Sequence, residues 1–158
     1  MNSKSLLKND DAVSISVGFI LMFAVTVIIF SATIISFYTL SNSNEKSAMS
    51  ATFEIIGAGV AAKITTVDTL VNITNSYGGT VNSLEYEFSM SPFVAGRSYT
   101  VNITNSTYKI IIKSDNGATS YSPFNVSTNF TAIQIYSGAE NYKLTYNKSS
   151  NSLIIVEQ

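Results

Sequence analysis

The sequence predicts an α+β fold, in which one long N-terminal helix, hydrophobic and then amphipathic, precedes a C-terminal antiparallel β-sheet head. Three observations lead to this prediction. No charged residue occurs between Asp11 and Glu45, apolar residues then recur at helical spacing from Met49, and short alternating segments separated by turn residues follow from about Leu70. These changes of pattern divide the chain into four segments: residues 1–12, 13–40, 41–72 and 73–158.

The composition excludes several classes of function. Only 12% of the 158 residues are charged and the formal net charge is -1, so the clustered Lys and Arg that bind nucleic acid are missing. The chain has no Cys, no His and no Trp, which removes the usual zinc ligands, thiol nucleophiles and imidazole bases. We therefore predict no nucleic-acid partner, no enzymatic activity, no metal site and no cofactor.

The first element is the apolar segment of residues 13–40, which as a helix would be about 42 Å long and exceeds the roughly 20 residues that cross a bilayer. A helix that is apolar on every side cannot be covered by so small a domain, so a membrane-inserted helix is predicted. Lys4 and Lys8 would also suit a cleaved secretory signal, but such a signal has an apolar region of roughly 7–15 residues followed by a small-residue cleavage site. We predict retention, with the N-terminus in the cytoplasm and the C-terminal domain outside.

The stretch VSISVGFILMFAVTVI, which begins at Val13, resembles the mature N-terminus of archaeal type IV pilins of the euryarchaeal kind, which is similar to QSPVIGVILMVAITVI. Apolar helices resemble one another by composition, so the specificity comes from the polar and small positions. The resemblance is specific over roughly the first 40 residues of the chain and weak beyond them. The shared positions, aligned without a gap, are Ser14, Gly18, Ile20, Leu21, Met22, Ala24, Thr26, Val27 and Ile28.

This resemblance implies that a prepilin peptidase removes a leader peptide, residues 1–12, by cutting after Asp11-Ala12 and before Val13. A cut one residue to either side stays open. The retained segment would then serve first as an anchor in membrane lipid and later as an assembly helix, where small residues allow close packing against pilin subunits of the same or another kind. The residues assigned to this membrane and assembly helix are Ser14, Gly18, Met22, Ala24 and Thr26.

Two positions depart from the wider pilin pattern. Val17 stands where many pilins outside the euryarchaeal group have Glu, and that group also lacks the Glu. Ile15 stands where Pro is common. The second departure leaves the choice between a major pilin, a minor pilin and a pilin-like protein open.

The second element is an amphipathic stem helix over residues 41–72. We interpret its apolar stripe as packed on the protein's own sheet, with a neighbouring subunit as the alternative cover. Glu54 and Lys63 fall outside the stripe, while Gly57 and Gly59 indicate a bend or a close contact in the helix interior. The stripe consists of Met49, Phe53, Ile56, Val60, Ile64, Val67 and Val71.

The head is predicted as one antiparallel sheet, with its buried face covered by the stem helix. Pro92 and Gly96 are expected to shape one link between strands, after which Tyr99 and Val101 point inward. The turn residues Asp115-Asn116-Gly117 lack the remaining ligands of a calcium loop and are interpreted as a turn. The six predicted strands are SLEYEFSM, RSYTVNIT, TYKIIIKS, NFTAIQIYS, YKLTYN and SLIIVEQ.

Two further groups of residues downstream of the apolar segment are candidates for chemistry. Glu85 and Glu87 alternate along one strand and project to the same side, as a carboxylate pair would, although charges on the exposed face of a half-buried strand are commoner. N-x-S/T sequons downstream of the apolar segment are candidate glycosylation sites, with an ordinary Asn-, Ser- and Thr-rich surface as the alternative. The sequons are at Asn72, Asn102, Asn105, Asn125, Asn129 and Asn147.

These observations, with the resemblance, predict a type IV pilin-like structural subunit. It would be anchored in the cell membrane by a single pass with its C-terminus outside, would enter a surface filament after cleavage, and would serve adhesion. Its partners would be the prepilin peptidase, membrane lipid and pilin subunits. The alternative is a single-pass, membrane-anchored extracellular binding module that does not polymerise.

Overall fold

The computed structural model describes residues 10–158, with side chains from residue 14 onward. One α-helix followed by an antiparallel-rich β region confirms the predicted α+β class. The chain divides into two compact units at Ser43 and Asn44, and residues 44–158 are called the head below. The elements are α1 (Asp10–Ser76), β1 (Ser83–Ser89), β2 (Tyr99–Thr104), β3 (Lys109–Ser114), β4 (Thr119–Pro123), β5 (Asn129–Phe130), β6 (Ile133–Tyr136), β7 (Asn141–Asn147) and β8 (Ser152–Glu157).

Helix α1 is continuous through both the apolar segment and the predicted stem. It extends four residues beyond the predicted end at residue 72 and stops at Ser76. The following Gly78 has φ +80°, a left-handed conformation that glycine adopts without steric cost and that commonly ends helices. The backbone N–H of Gly79 then donates to the carbonyl of Thr74 at 2.9 Å, which satisfies one of the carbonyls left free by the helix end.

The stripe predicted for the stem is confirmed as packed on the protein's own sheets. All of its residues are buried except Ile56, which is partly buried. The Phe53 ring lies 5.3 Å from the ring of Tyr99 on β2, and the same core contains Tyr142 of β7. Helix and strands therefore share one apolar core, as the helical period of the stripe requires.

Of the two glycines in the stem, Gly57 lies at a close contact. A Cβ at this position would collide with the side chain of Ser122 on β4 and would lie 3.6 Å from a methyl group of Ile112 on β3. At Gly59 the nearest such atom is the Nζ of Lys63, 3.8 Å away. The close contact is thus confirmed at Gly57, and α1 remains unbroken there.

The prediction of a single sheet is wrong, because the strands form two four-stranded sheets. Sheet I has the order β1-β7-β8-β5, and sheet II has the order β4-β3-β2-β6. The segment NFTAIQIYS, predicted as one strand, is split: Asn129–Phe130 pairs with β8, and Ile133–Tyr136 pairs with β2. The β5–β8 pair is parallel and the other strand pairs are antiparallel. A local sequence pattern carries no information about which distant strand will be the partner.

Strand β4 was not predicted. Its sequence, TSYSP, contains two serines and ends in proline, so it lacks the apolar alternation that marks a half-buried strand. It lies at the edge of sheet II, where proline is tolerated, and its inward Ser122 faces Gly57. The small residues on both sides allow helix and strand to approach closely.

The inward faces of both sheets supply the rest of the core. Tyr99 and Val101 of β2 are buried, as predicted, and so is Ile112 of β3. From sheet I, Leu144 and Ile155 are fully buried. Because side chains alternate along a strand, the neighbours of these residues form the outer faces of the two sheets.

Candidate functional site

The apolar segment of α1 is uncovered on every side. From Ile15 to Leu40 every large apolar side chain is between 45% and 74% exposed. The segment has a mean hydropathy of 2.6 over its most apolar window, and within the described residues α1 is the one helix long and apolar enough to cross a membrane. The helix is therefore compatible with a single membrane anchor.

The three threonine hydroxyl groups of this segment are satisfied inside the helix. Thr26, Thr33 and Thr39 each donate to the backbone carbonyl four residues earlier, at 2.8, 2.9 and 2.9 Å. A hydroxyl bonded in this way presents its methyl group outward and needs no water. These threonines can therefore lie in lipid or in a helix interface without the cost of an unpaired polar group.

The five residues assigned to the assembly helix do not all lie on one side of α1. Ser14, Gly18, Met22 and Thr26 follow one another at four-residue spacing and form one ridge along the helix. Ala24 lies on a different side, since two residues correspond to about 200° around a helix. A Cβ at Gly18 would have no atom within 4 Å, so the surface there is open.

The predicted processing site lies at the start of α1. Asp11, Ala12 and Val13 follow Asp10, the first helical residue. Their side chains lie outside the part that is described, and so do residues 1–9 of the predicted leader. The cleavage position stays a prediction.

The six sequons are dispersed over the head. Asn72 is half-buried on α1 and its Nδ2 donates to the carboxylate of Asp68 at 3.0 Å. Asn147, at the end of β7, accepts the backbone N–H of Ser149 at 2.8 Å. The remaining sequon asparagines have exposed side chains: Asn102, Asn105, Asn125 and Asn129.

Asp68 is a buried carboxylate that the sequence reasoning missed. It accepts the backbone N–H groups of Ser127 and Thr128, both at 2.9 Å, as well as the hydroxyl of Thr128. These bonds attach the loop before β5 to α1. The position of Asp68, directly after Val67 and three residues before Val71 of the buried stripe, is the signal that could have revealed it.

A second polar cluster joins the start of the head's helix to two loops. The Arg97 guanidinium donates to the carboxylate of Glu45, and Asn116 Nδ2 donates to the same Glu45 oxygen at 3.2 Å. The hydrogen bond from Arg97 holds the pKa of Glu45 below its usual value. Asp115 also lies 3.6 Å from Arg97. The cluster connects residues far apart in sequence, so no local pattern could have indicated it.

The turn predicted at Asp115-Asn116-Gly117 is confirmed. Gly117 has φ +86°, and the side-chain oxygen of Asn116 accepts the backbone N–H of Ala118 at 3.0 Å. In the part of the chain that the structure describes, no group of three or more His, Cys, Asp or Glu could hold a metal ion.

Glu85 and Glu87 do lie on the same side of β1, and both face a lysine on β7. The Nζ of Lys143 is 3.0 Å from the Glu85 carboxylate and 3.8 Å from that of Glu87. The hydrogen bond to Glu85 raises the pKa of Lys143. This arrangement is a cross-strand ion pair, the exposed-face alternative to a carboxylate pair.

Comparison with known proteins adds no relative. No protein-family model matches the sequence, and no curated protein or solved structure is significantly similar to it. The residues and contacts of this chain must therefore carry any functional conclusion.

Proposed function

We propose that this chain is a type IV pilin-like structural subunit, anchored in the cell membrane and then assembled into a surface filament that serves adhesion. A prepilin peptidase would first remove residues 1–12 by cutting between Ala12 and Val13. The C-terminus lies outside the cell in this proposal. The head would then be displayed on the cell surface.

The observation that carries the proposal is the uncovered apolar segment of α1, together with the residues it shares with euryarchaeal pilins. A helix apolar on every side needs either lipid or other apolar helices around it, and the same surface suits both. The satisfied hydroxyls of Thr26, Thr33 and Thr39 suit both environments as well. The open ridge at Gly18 would allow the backbone of a second helix to come close.

The head supports the proposal in a different way. Its core is completed by its own stem helix, so no second chain is needed to bury the stripe from Met49 to Val71. A subunit must remain folded both as a membrane-bound monomer and in a polymer. A head that completes its own core meets that requirement.

Cleavage is tested by mass spectrometry of the mature N-terminus, with and without the prepilin peptidase. Co-expression should give a protein that begins at Val13. The control is the same protein expressed without the peptidase, which should retain Met1. A retained Met1 in the presence of the peptidase, or a cut near Ser36, would contradict the proposal.

Polymerisation needs a separate test, because an anchored binding module could also be processed. Gly18→Leu fills the open position with a bulky side chain and should abolish shed filaments while membrane insertion remains intact. Ile34→Leu, a conservative change about 160° around the helix from Gly18, is the control and should leave filaments unchanged. Unchanged filaments with Gly18→Leu would refute the packing role of Gly18. Cleaved protein without filaments in the wild type would favour the anchored module.

A further inference from the structure

The outer face of sheet II carries a group of side chains that neither the core nor the assembly helix uses. Alternation along β2 and β3 turns Thr100 and Asn102, with Lys109, Ile111 and Lys113, away from the buried Val101 and Ile112. The edge strands add one tyrosine each. The sheet II outer face is defined by seven residues: Thr100, Asn102, Lys109, Ile111, Lys113, Tyr121 and Tyr136.

The two tyrosines present their rings to solvent. Tyr121 on β4 is 64% exposed and Tyr136 on β6 is 62% exposed. The hydroxyl of Tyr136 accepts the amide N–H of Gln134 at 3.0 Å, which orients the ring. The strand order places the tyrosines three strands apart, or about 14 Å across the sheet. Exposed tyrosines are large contact surfaces with a polar tip.

The two lysines give the same face a positive charge. Lys109 and Lys113 lie on one side of β3 and are about 13 Å apart along the strand. Both side chains are exposed. Among the described residues neither lysine forms a salt bridge, in contrast to Arg97 and Lys143. Their charges are therefore available to an anionic ligand.

An open cavity of about 540 Å³ lies at one end of this face, where β2 begins and β3 and β6 end. It is lined by Tyr136, Lys113 and Thr100, together with the hydroxyl-bearing Ser98. Asp115 also lines it, but its carboxylate is paired with Arg97. Its volume lies within the range of roughly 300–1,000 Å³ that ligand sites have. Tyr136 supplies one aromatic wall, and most of the other lining residues are polar.

We propose that the sheet II outer face and its cavity bind an acidic polysaccharide, with sugar rings on Tyr121 and Tyr136 and sugar carboxylates at Lys109 and Lys113. A pyranose ring has an apolar C–H face that suits an exposed aromatic ring, and a rim of hydroxyls that suits Thr100 and Ser98. The carboxylates account for the unpaired lysines. Because the aromatic and charged contacts are spread over about 13–14 Å in both directions of the sheet, an extended polymer fits better than a single sugar.

This inference deepens the adhesion part of the proposed function and does not depend on cleavage or polymerisation. The inference also predicts the modification state of Asn102. This residue lies near the centre of the sheet II outer face, between the edge strands that carry Tyr121 and Tyr136. A glycan attached there would cover the binding surface. Asn102 should therefore be unmodified in the native protein, whatever happens at the other sequons.

The test uses the full chain, monomeric in detergent, and measures its affinity for three soluble polymers. Polygalacturonate supplies sugar rings and carboxylates, dextran supplies uncharged sugar rings, and poly-glutamate supplies carboxylates without sugar. Polygalacturonate should bind, more weakly as salt rises because the lysine contacts are screened. Binding of dextran or poly-glutamate with equal affinity would overturn the proposal, and so would no binding of polygalacturonate. Since the chain is monomeric, failure here leaves the filament proposal untouched.

Single substitutions locate the site. Tyr136→Ala and Lys113→Gln should each weaken polygalacturonate binding about tenfold, as expected when one of the few residues that dominate an interface is removed. Tyr77→Ala and Lys148→Gln, exposed residues outside the face, are matched controls and should change nothing. Equal losses of polygalacturonate affinity in the two control variants would show that the sheet II outer face is not the binding site.

Two other results would also count against the proposal. If the wild-type head associates with itself and Lys113→Gln releases it, the face is instead an interface between copies. Mass spectrometry that finds a glycan on Asn102 of the native protein would likewise refute it. An unmodified Asn102 in a protein with glycans on other sequons would support it.

Discussion

Two stretches of the same helix show how neighbours decide what a helix does. From Ile15 to Leu40 the large apolar side chains are exposed on every side. From Met49 to Val71 one stripe is buried, and the other faces are small or polar apart from the exposed Ile55 and Leu70. Both stretches are helical because their backbone hydrogen bonds are local. The difference lies in side-chain burial: the second stretch holds the head together, and the first stretch is free to contact lipid or another chain.

The largest expected effect comes from removing a ring in the buried stretch. Phe53→Ala empties a fully buried site against Tyr99 and should lower the head's free energy of unfolding by about 3–5 kcal/mol. Urea unfolding in detergent, followed by the tyrosine circular dichroism of the head, measures it. Phe23→Ala, at a 63% exposed position of the first stretch, should leave that free energy unchanged. Similar losses of unfolding free energy in both variants would show that the two stretches do not differ in their contribution to the stability of the head.

Removal of the buried Asp68 carboxylate should have the second-largest effect on the free energy of unfolding. Asp68→Ala leaves the backbone N–H groups of Ser127 and Thr128 without partners and should cost about 3 kcal/mol in the same unfolding measurement. Glu54→Ala, on the exposed side of the same helix, is the control and should change stability by less than about 0.5 kcal/mol. A small effect at Asp68 would mean that water replaces these bonds.

Substitutions of Gly57 and Gly18 should differ less in their effect on the stability of the head. Gly57→Ala gains helix propensity but forces a methyl group against Ser122, so a net loss of about 1–2 kcal/mol is expected in urea unfolding. Gly18→Ala adds a methyl group to open space and should cause no loss in the head. Stabilisation by Gly57→Ala would show that Ser122 moves aside at little cost.

The smallest effect is a pH dependence from Glu45. Because Arg97 lowers its pKa in the folded head, the unfolded chain binds more protons between the two pKa values, and stability rises with pH there. The stabilisation of the head by ionised Glu45 beside Arg97 is complete above the ordinary pKa of 4.5. It is lost as pH falls through the lowered pKa. Urea unfolding between pH 3 and 6 (roughly the range of carboxylate titration) should show Glu45→Gln less stable than wild type at the upper end, with a difference that shrinks toward the lower end. A difference that does not vary with pH would contradict this.

Features that depend on neighbouring residues could be predicted from the sequence. The helix, its apolar segment, the buried stripe and the turn at Asp115-Asn116-Gly117 all follow from spacing along the chain or from local turn chemistry. Features that depend on pairing between distant segments could not be predicted from the sequence. The split of one expected strand into β5 and β6 and the pairing of the unpredicted β4 are of this second kind. For Asp68, the place beside the buried stripe is a local signal, whereas its bonds to Ser127 and Thr128 depend on distant segments.

The sequence by itself therefore determined that this chain has one long helix, apolar and then amphipathic, and a β-rich head. Periodicity and total apolarity are properties of a contiguous stretch, so no partner is needed to recognise them. Only the tertiary structure decided that the head has two sheets, that Gly57 meets Ser122, and that Tyr121 and Tyr136 share a face with Lys109 and Lys113, which form no salt bridge among the described residues. Such arrangements depend on which distant strands pair, because pairing and register place residues from four strands on one surface.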